Sequence, residues 1–172
     1  MAERTEAARV RLEPWSEDDL DLLRRTNAPE MMEHLGGPES EEQLLARHQR
    51  YLDGAGPSWM FRIVLLPEEE VVGSVGYWKR YWREQTVYEI GWSVLPPFQG
   101  RGIAVAAAGA AAERTRADGR HRYVHAFPSV DNPASNAVCK RLGFEFLAEY
   151  DLEYPPGHTM RCNDWRLDLG RR

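Results

Sequence analysis

Apolar and charged positions alternate along residues 8–13 (ARVRLE), so that Val10 and Leu12 fall on one side. A period of two marks a half-exposed strand, and Pro14 ends it. The period then lengthens. Ser16 offers a helix N-cap, the acids after it sit in the first turn where the helix dipole favours them, and Leu20, Leu22 and Leu23 supply an apolar face to about Thr26. Asn27-Ala28-Pro29 breaks this helix, and residues 30–35 form a short helical turn before Gly36-Gly37-Pro38. Leu44, Leu45, His48 and Leu52 recur at helical spacing through residues 40–52, until Gly54, Gly56 and Pro57 stop the helix.

Three strands follow in close succession, at residues 59–66, 71–79 and 86–94. Pro67 and three glutamates make the first join, residues 80–85 the second, and joins this short predict an antiparallel meander. Residues 102–118 form a long alanine-rich helix with Gly119 as its C-cap. The strand at 123–127 (YVHAF) is reached through that helix, which predicts parallel pairing with its partner. Asn132 caps and Pro133 opens the last helix, which ends at Gly143. Strands at 144–153 and 164–169 complete the chain, with Pro155-Pro156-Gly157 between them. The pattern is α+β: one domain over residues 1–172, a mostly antiparallel sheet of about seven strands flanked by helices, with one parallel pair.

Composition narrows the function classes. The 172 residues, 42% hydrophobic and 28% charged, are ordinary for a globular domain with a sizeable core. A net charge of -5 argues against nucleic-acid binding by phosphate neutralisation and is compatible with an amine-bearing substrate. The two cysteines, Cys139 and Cys162, form no disulfide framework, and the histidines show no metal-ligand spacing, so no metal is expected. The N-terminal MAERTEAARV lacks an apolar signal region, and no apolar run is long enough to span a bilayer. The expectation is a cytoplasmic protein without a membrane partner.

The chemically informative stretch is the strand ending at Val94, the turn Leu95-Pro96-Pro97-Phe98-Gln99-Gly100-Arg101-Gly102-Ile103-Ala104, and the helix behind it. A helix N-terminus presents free N–H groups and attracts phosphate, and small residues let a ligand come close to the backbone. Two familiar phosphate loops do not fit. No lysine followed by Ser or Thr comes after the second glycine, and Val105 stands where G-x-G-x-x-G needs its last glycine.

The stretch resembles the GNAT superfamily of acyl-CoA-dependent N-acetyltransferases, whose hallmark Q/R-x-x-G-x-G/A is matched by Gln99, Gly102 and Ala104. A second family feature is an asparagine that opens the last helix, here Asn132, with Leu142-Gly143-Phe144 at its end. The sequence N-P-A-S-N with this ending is most similar to the branch of the ribosomal-protein-alanine N-acetyltransferases. The likeness reaches motif level from about Glu89 to Phe144.

The resemblance implies acetyl-CoA as acyl donor and an amine as acceptor: a protein N-terminus, a small metabolite or an antibiotic. It places the pyrophosphate on the backbone of Arg101, Gly102, Ile103 and Ala104, with Gln99 and Gly100 in the same turn. Arg101 either adds a charge there or is a solvated surface residue. Pro96 and Pro97 donate no ladder hydrogen bonds, so this strand parts from the one at 123–127. The pantetheine arm enters that gap beside Val94, where an N–H polarises the thioester carbonyl. Asn132 bonds the pantetheine amide or serves as a plain N-cap; Asn136, one turn further, is a second candidate.

An alkylamine is mostly protonated at neutral pH, and removing that proton costs about 4 kcal/mol. Glu89, between Tyr88 and Ile90 in a strand, is the candidate base; the competing reading has it facing solvent or paired with an arginine. Many family members carry a tyrosine on the last helix as general acid. Cys139 stands there and either donates a proton or packs. The acceptor pocket is expected from the 27–38 loop, the 76–83 region and the 154–163 connection. Its candidates are Glu33, His34, Trp78 and Trp82, with Tyr81, His158 and Arg161 nearby. The exposed aromatics are equally compatible with a homodimer contact. A noncatalytic acyl-CoA-binding or sensing module is the alternative that the Cys139 departure keeps open.

Overall fold

The strand pairings expected from the short joins are present in the computed structural model, which describes residues 7–53, 58–153 and 157–170. Helix stops at Gly54, Gly56 and Pro57, and the Pro155-Pro156 step, lie outside the described residues. Strand β1 (Arg9–Pro14) pairs with β2 (Ser58–Leu66), which continues into β3 (Glu70–Trp82) and β4 (Gln85–Val94), all antiparallel. Helix α1 (Leu20–Thr26) starts after a 3-10 turn that Ser16 and Asp19 close with a reciprocal capping box. Helices α2 (Pro29–Met32) and α3 (Glu41–Asp53) complete the first half.

Helix α4 (Ile103–Asp118) crosses over to β5 (Tyr123–Ala126), which runs parallel to β4. Helix α5 (Pro133–Arg141) follows, then β6 (Glu145–Glu153) and β7 (Thr159–Asp168). The sheet order is β1-β2-β3-β4-β5-β7-β6. The parallel register holds only Tyr88 opposite Val124 and Glu89 opposite His125. No further β4–β5 pair forms beyond these among the described residues, and Pro96 and Pro97 lie past the end of β4.

Alternation along the strands sorts the core to two sides of the sheet. Helix α4 packs across β1, β3 and β4, and its small Ala107, Ala108 and Ala111 are fully buried against a cluster that includes Val75, Tyr88, Ile90 and Val124. Neighbouring positions on β2 point the other way: Met60 joins Trp15, Leu22, Leu23 and Leu44 beneath α1 and α3. His48 is buried there and accepts a hydrogen bond from the Trp15 indole at 3.0 Å. At Gly73 the strands come too close for a side chain, since an added Cβ would stand 2.1 Å from the Ser93 carbonyl oxygen. Gly73→Ala is therefore expected to destabilise the fold by about 3 kcal/mol through forced separation of β3 and β4. The urea midpoint checks this.

Two strands are longer than their sequence suggests. β3 runs on through Arg80, Tyr81 and Trp82, because the turn is only Arg83-Glu84, both with left-handed φ of 50° and 66°. Two such residues suit a tight hairpin, but the usual Asn or Gly is missing. β7 begins at Thr159 rather than 164, paired from Glu153 onward. Its inward-facing Asp164 is buried, so polarity hides the strand period.

Candidate active site

Ile103, almost fully buried, pins the first turn of α4 into the core, while Gly100 and Gly102 ahead of it take left-handed φ of 76° and 77°. The first bond of the helix runs from the Ala106 N–H to the Gly102 carbonyl. The amides of residues 103–105 thus lie beyond the reach of intrahelical acceptors. The first turn carries no acidic residue. A Cβ built on Gly100 or Gly102 would touch nothing within 4 Å, so a ligand approaches both glycines unobstructed. Free amides, a helix dipole and an open backbone fit the pyrophosphate of coenzyme A. Arg101 is exposed, its guanidinium 6.0 Å from the Phe98 ring centre. Gln99 donates to the Val94 carbonyl at 2.9 Å and so braces the turn against the end of β4.

Asn136 is committed within the protein, and Asn132 through its side-chain oxygen. The Asn132 side chain accepts from the Ser135 N–H and caps α5. Asn136 donates to the carbonyls of Ser129 and Asn132 and accepts from the side chains of Asn163 and Trp165. With two donors and two acceptor positions used, it ties α5 to β7. Cys139 is fully buried in the core, and burial pushes its thiol up to about 12. Cys162, also fully buried, is pushed up to about 11, chiefly by burial. Neither thiol is expected to react with a disulfide reagent until the protein unfolds. A thiol count in native and denaturing buffer checks this.

Glu89 sits at the last registered step of the parallel pair, opposite His125 on β5 and Trp78 on β3. Its carboxylate accepts from Arg80 Nη1 at 2.6 Å. Burial raises the affinity of this carboxyl for its proton; Arg80, and a hydrogen bond from Trp78, pull the other way. The Arg80 guanidinium in turn lies 4.9 Å from the Phe127 ring centre and 5.3 Å from that of Trp82. The Trp82 indole donates to Asp164 at 3.1 Å, and the other Asp164 oxygen lies 2.6 Å from His125 Nδ1. Tyr150 on β6 meets Trp82 edge to face and hydrogen-bonds Arg83. The tip of the β3–β4 hairpin thus arches over the sheet face and docks on β6 and β7.

Two of the three expected acceptor regions, the 27–38 loop and the 154–163 connection, meet in one cleft among the described residues. Glu33 and His34, whose side chains approach to 3.2 Å, line this space of about 360 Å³ with Ser129, Asp131, His158 and Arg161. Trp78 and Trp82 instead belong to the sheet face around Glu89, and Trp78 lies across Gly91. Tyr154 falls outside the described residues. Sequence reasoning missed Arg80, His125, Phe127, Tyr150 and Asp164 as a group. The available signal was polar residues at inward-facing strand positions. Among the described residues no group of His, Cys, Asp or Glu is placed to hold a metal ion. No helix there is long and apolar enough to cross a membrane.

Solved structures share this architecture. An acetyltransferase of the GNAT family from Bacillus anthracis superposes with a TM-score of 0.79 at 18% identity, over 97% of this chain and 99% of that one. Spermidine N-acetyltransferase from Vibrio cholerae, solved with CoA and spermine, gives 0.78 at 15%, over 94% and 96%. An acetyltransferase from Salmonella typhimurium that modifies the N-terminal serine of ribosomal protein L7/L12 gives 0.74 at 22%, over 92% and 94%. At these identities the likeness is one of fold. Among curated protein sequences none matches. The family model described as an acetyltransferase (GNAT) domain matches residues 9–145, most of the chain, and its span takes in the glycine turn, Glu89 and α5. The chain belongs to the GNAT acetyltransferase family.

Proposed function

We propose that the protein moves the acetyl group of acetyl-CoA to a primary amine by direct attack, with both substrates held together. The observation that carries this reading is the α4 terminus: two left-handed glycines and unpaired amides, set where β4 and β5 part. Bound there, the coenzyme supplies an acyl carbon activated as a thioester. The amides around Arg101 to Ala104 hold its pyrophosphate, and Val94, Asn132 and the strand gap orient its arm.

Glu89 accepts the proton that the acceptor ammonium must lose, and its enclosure by Trp78 and Arg80 keeps bulk water away. Cys139 serves packing in this reading, because its buried thiol holds its proton tightly. The motif likeness to the ribosomal-protein branch favours a protein N-terminus as acceptor; a small metabolite and an antibiotic remain in the test panel. The whole chain acts as one cytoplasmic domain. The experiment is steady release of coenzyme thiol from acetyl-CoA with peptide N-termini, polyamines and aminoglycosides. Tight coenzyme binding without thiol release from any acceptor would instead identify a noncatalytic acyl-CoA sensor.

A further inference from the structure

The most unusual cluster outside the coenzyme turn surrounds Arg80. Its guanidinium is held on one side by the Glu89 carboxylate at 2.6 Å and on others by the rings of Phe127 and Trp82. A carboxylate with two ring faces accepts an alkylammonium as well as a guanidinium, the first as a point charge and the second as a planar fork. The walls of this site have anchors of their own. Trp82 is fixed by Asp164 and by Tyr150, and Phe127 stacks on His125 with ring centres 5.7 Å apart. His125 is itself held by Asp164.

The hairpin that carries Arg80 and Trp82 turns through two non-glycine residues in left-handed conformation, Arg83 and Glu84. Such residues persist only where surrounding contacts hold them, and Arg83 is held by the Tyr150 hydroxyl. Arg80 keeps 34% of its side-chain surface in solvent, against 16% for Glu89. It is therefore the layer between solvent and the carboxylate.

We infer that Arg80 is an internal competitor of the acceptor, its guanidinium holding the place beside Glu89, Trp82 and Phe127 that the acceptor's ammonium takes. The inference rests on Glu89 as the proton acceptor of the proposed reaction. An incoming ammonium displaces Arg80, exchanges into the same carboxylate and ring contacts, and then gives its proton to Glu89. The N–H bond breaks, an O–H bond forms on the carboxyl, and the electron pair stays on nitrogen for attack. The site thereby selects an acceptor that arrives as a cation. Other charged or titratable groups facing Glu89 are His125 of β5 with Asp164, Cys162 and Arg166 of β7; on β3, Arg80 is the only one on this face beside it.

The test uses the full chain with Arg80→Ala and methylammonium chloride as probe, against sodium chloride at equal ionic strength. Tryptophan fluorescence and thermal unfolding report binding. Arg80→Ala is expected to bind methylammonium at least about tenfold more tightly than the wild type, and Arg80→Ala with Glu89→Gln is expected to lose that gain. With any primary amine that the wild type acetylates, KM should fall about fivefold or more in Arg80→Ala while coenzyme affinity stays level. Equal methylammonium binding by variant and wild type, or a raised KM, overturns the inference. Should Arg80→Ala fold poorly, Arg80→Met keeps the aliphatic stem and answers the same question. Absence of thiol release from the wild type with every amine would sink the acetyl-transfer reading instead, and the methylammonium result would still decide the site.

Discussion

Gly102→Leu is expected to abolish coenzyme binding and leave the fold standing. The two effects separate because of where the new side chain goes. Its Cβ would meet no atom of the protein within 4 Å, so no core contact is disturbed. The cost to stability comes from the backbone alone: φ at this position is +77°, and an L-residue there loses about 1–2 kcal/mol. The side chain instead fills the space in front of the α4 terminus, where the pyrophosphate is held in the proposed complex. Each charge-assisted hydrogen bond to a main-chain amide contributes about 1.5–3 kcal/mol, and losing two of them weakens binding by at least about a hundredfold. Calorimetric titration with coenzyme A and a urea unfolding curve measure the two quantities. Undiminished binding would remove the cradle from the proposed mechanism.

Glu89→Gln should lower kcat by about a hundredfold or more and leave coenzyme affinity nearly unchanged, because a glutamine has the size but not the basicity. The pH profile gives the stronger readout. Burial raises the proton affinity of Glu89, and a base must be deprotonated to act. Wild-type kcat/KM should therefore fall as pH drops through a point above the ordinary carboxylate range, and the variant should lack this limb. The stability effect has the opposite sense. A carboxyl whose folded-state proton affinity is raised contributes stability that is present at low pH and lost as pH rises through its folded value. Glutamine cannot ionise, so the unfolding midpoint of the variant should vary less across that window. Full activity of Glu89→Gln at every pH would exclude the assignment.

The parts of this site readable from sequence are those in which backbone geometry demands a residue type. Gly100 and Gly102 are needed for positive φ, Gly119 for a left-handed helix end, and Asn132-Pro133 for a capped start. The parallel step followed from the long helix between β4 and β5. The parts that stayed hidden are those in which side chains satisfy one another across strands distant in sequence. Asp164 and His125 are 39 residues apart, and each alone looks like a surface residue. Trp82 reaches Asp164 across 82 residues, over a hairpin whose tight turn lacks the glycine that would have announced it. Glu89 stood out because a carboxylate in an apolar strand needs a reason. Its partner Arg80 did not stand out, because residues 80–85 look like an exposed turn. Asn136 was correctly placed on the last helix, but its four hydrogen bonds to protein groups emerge only in three dimensions.

The short register between β4 and β5 has one further consequence. A sheet normally confines its unpaired main-chain groups to its outer strands, where they template association with other chains. This one carries a second pair of such margins at its centre, created where β4 and β5 diverge after Glu89 and His125. These inner margins face each other across a wedge, so no second sheet can lie flat against them. In the proposed complex the coenzyme arm, a single slender chain of amides, lies between them. The molecule thus keeps strand-pairing capacity in reserve while shielding it from the indiscriminate pairing that makes an ordinary edge a hazard.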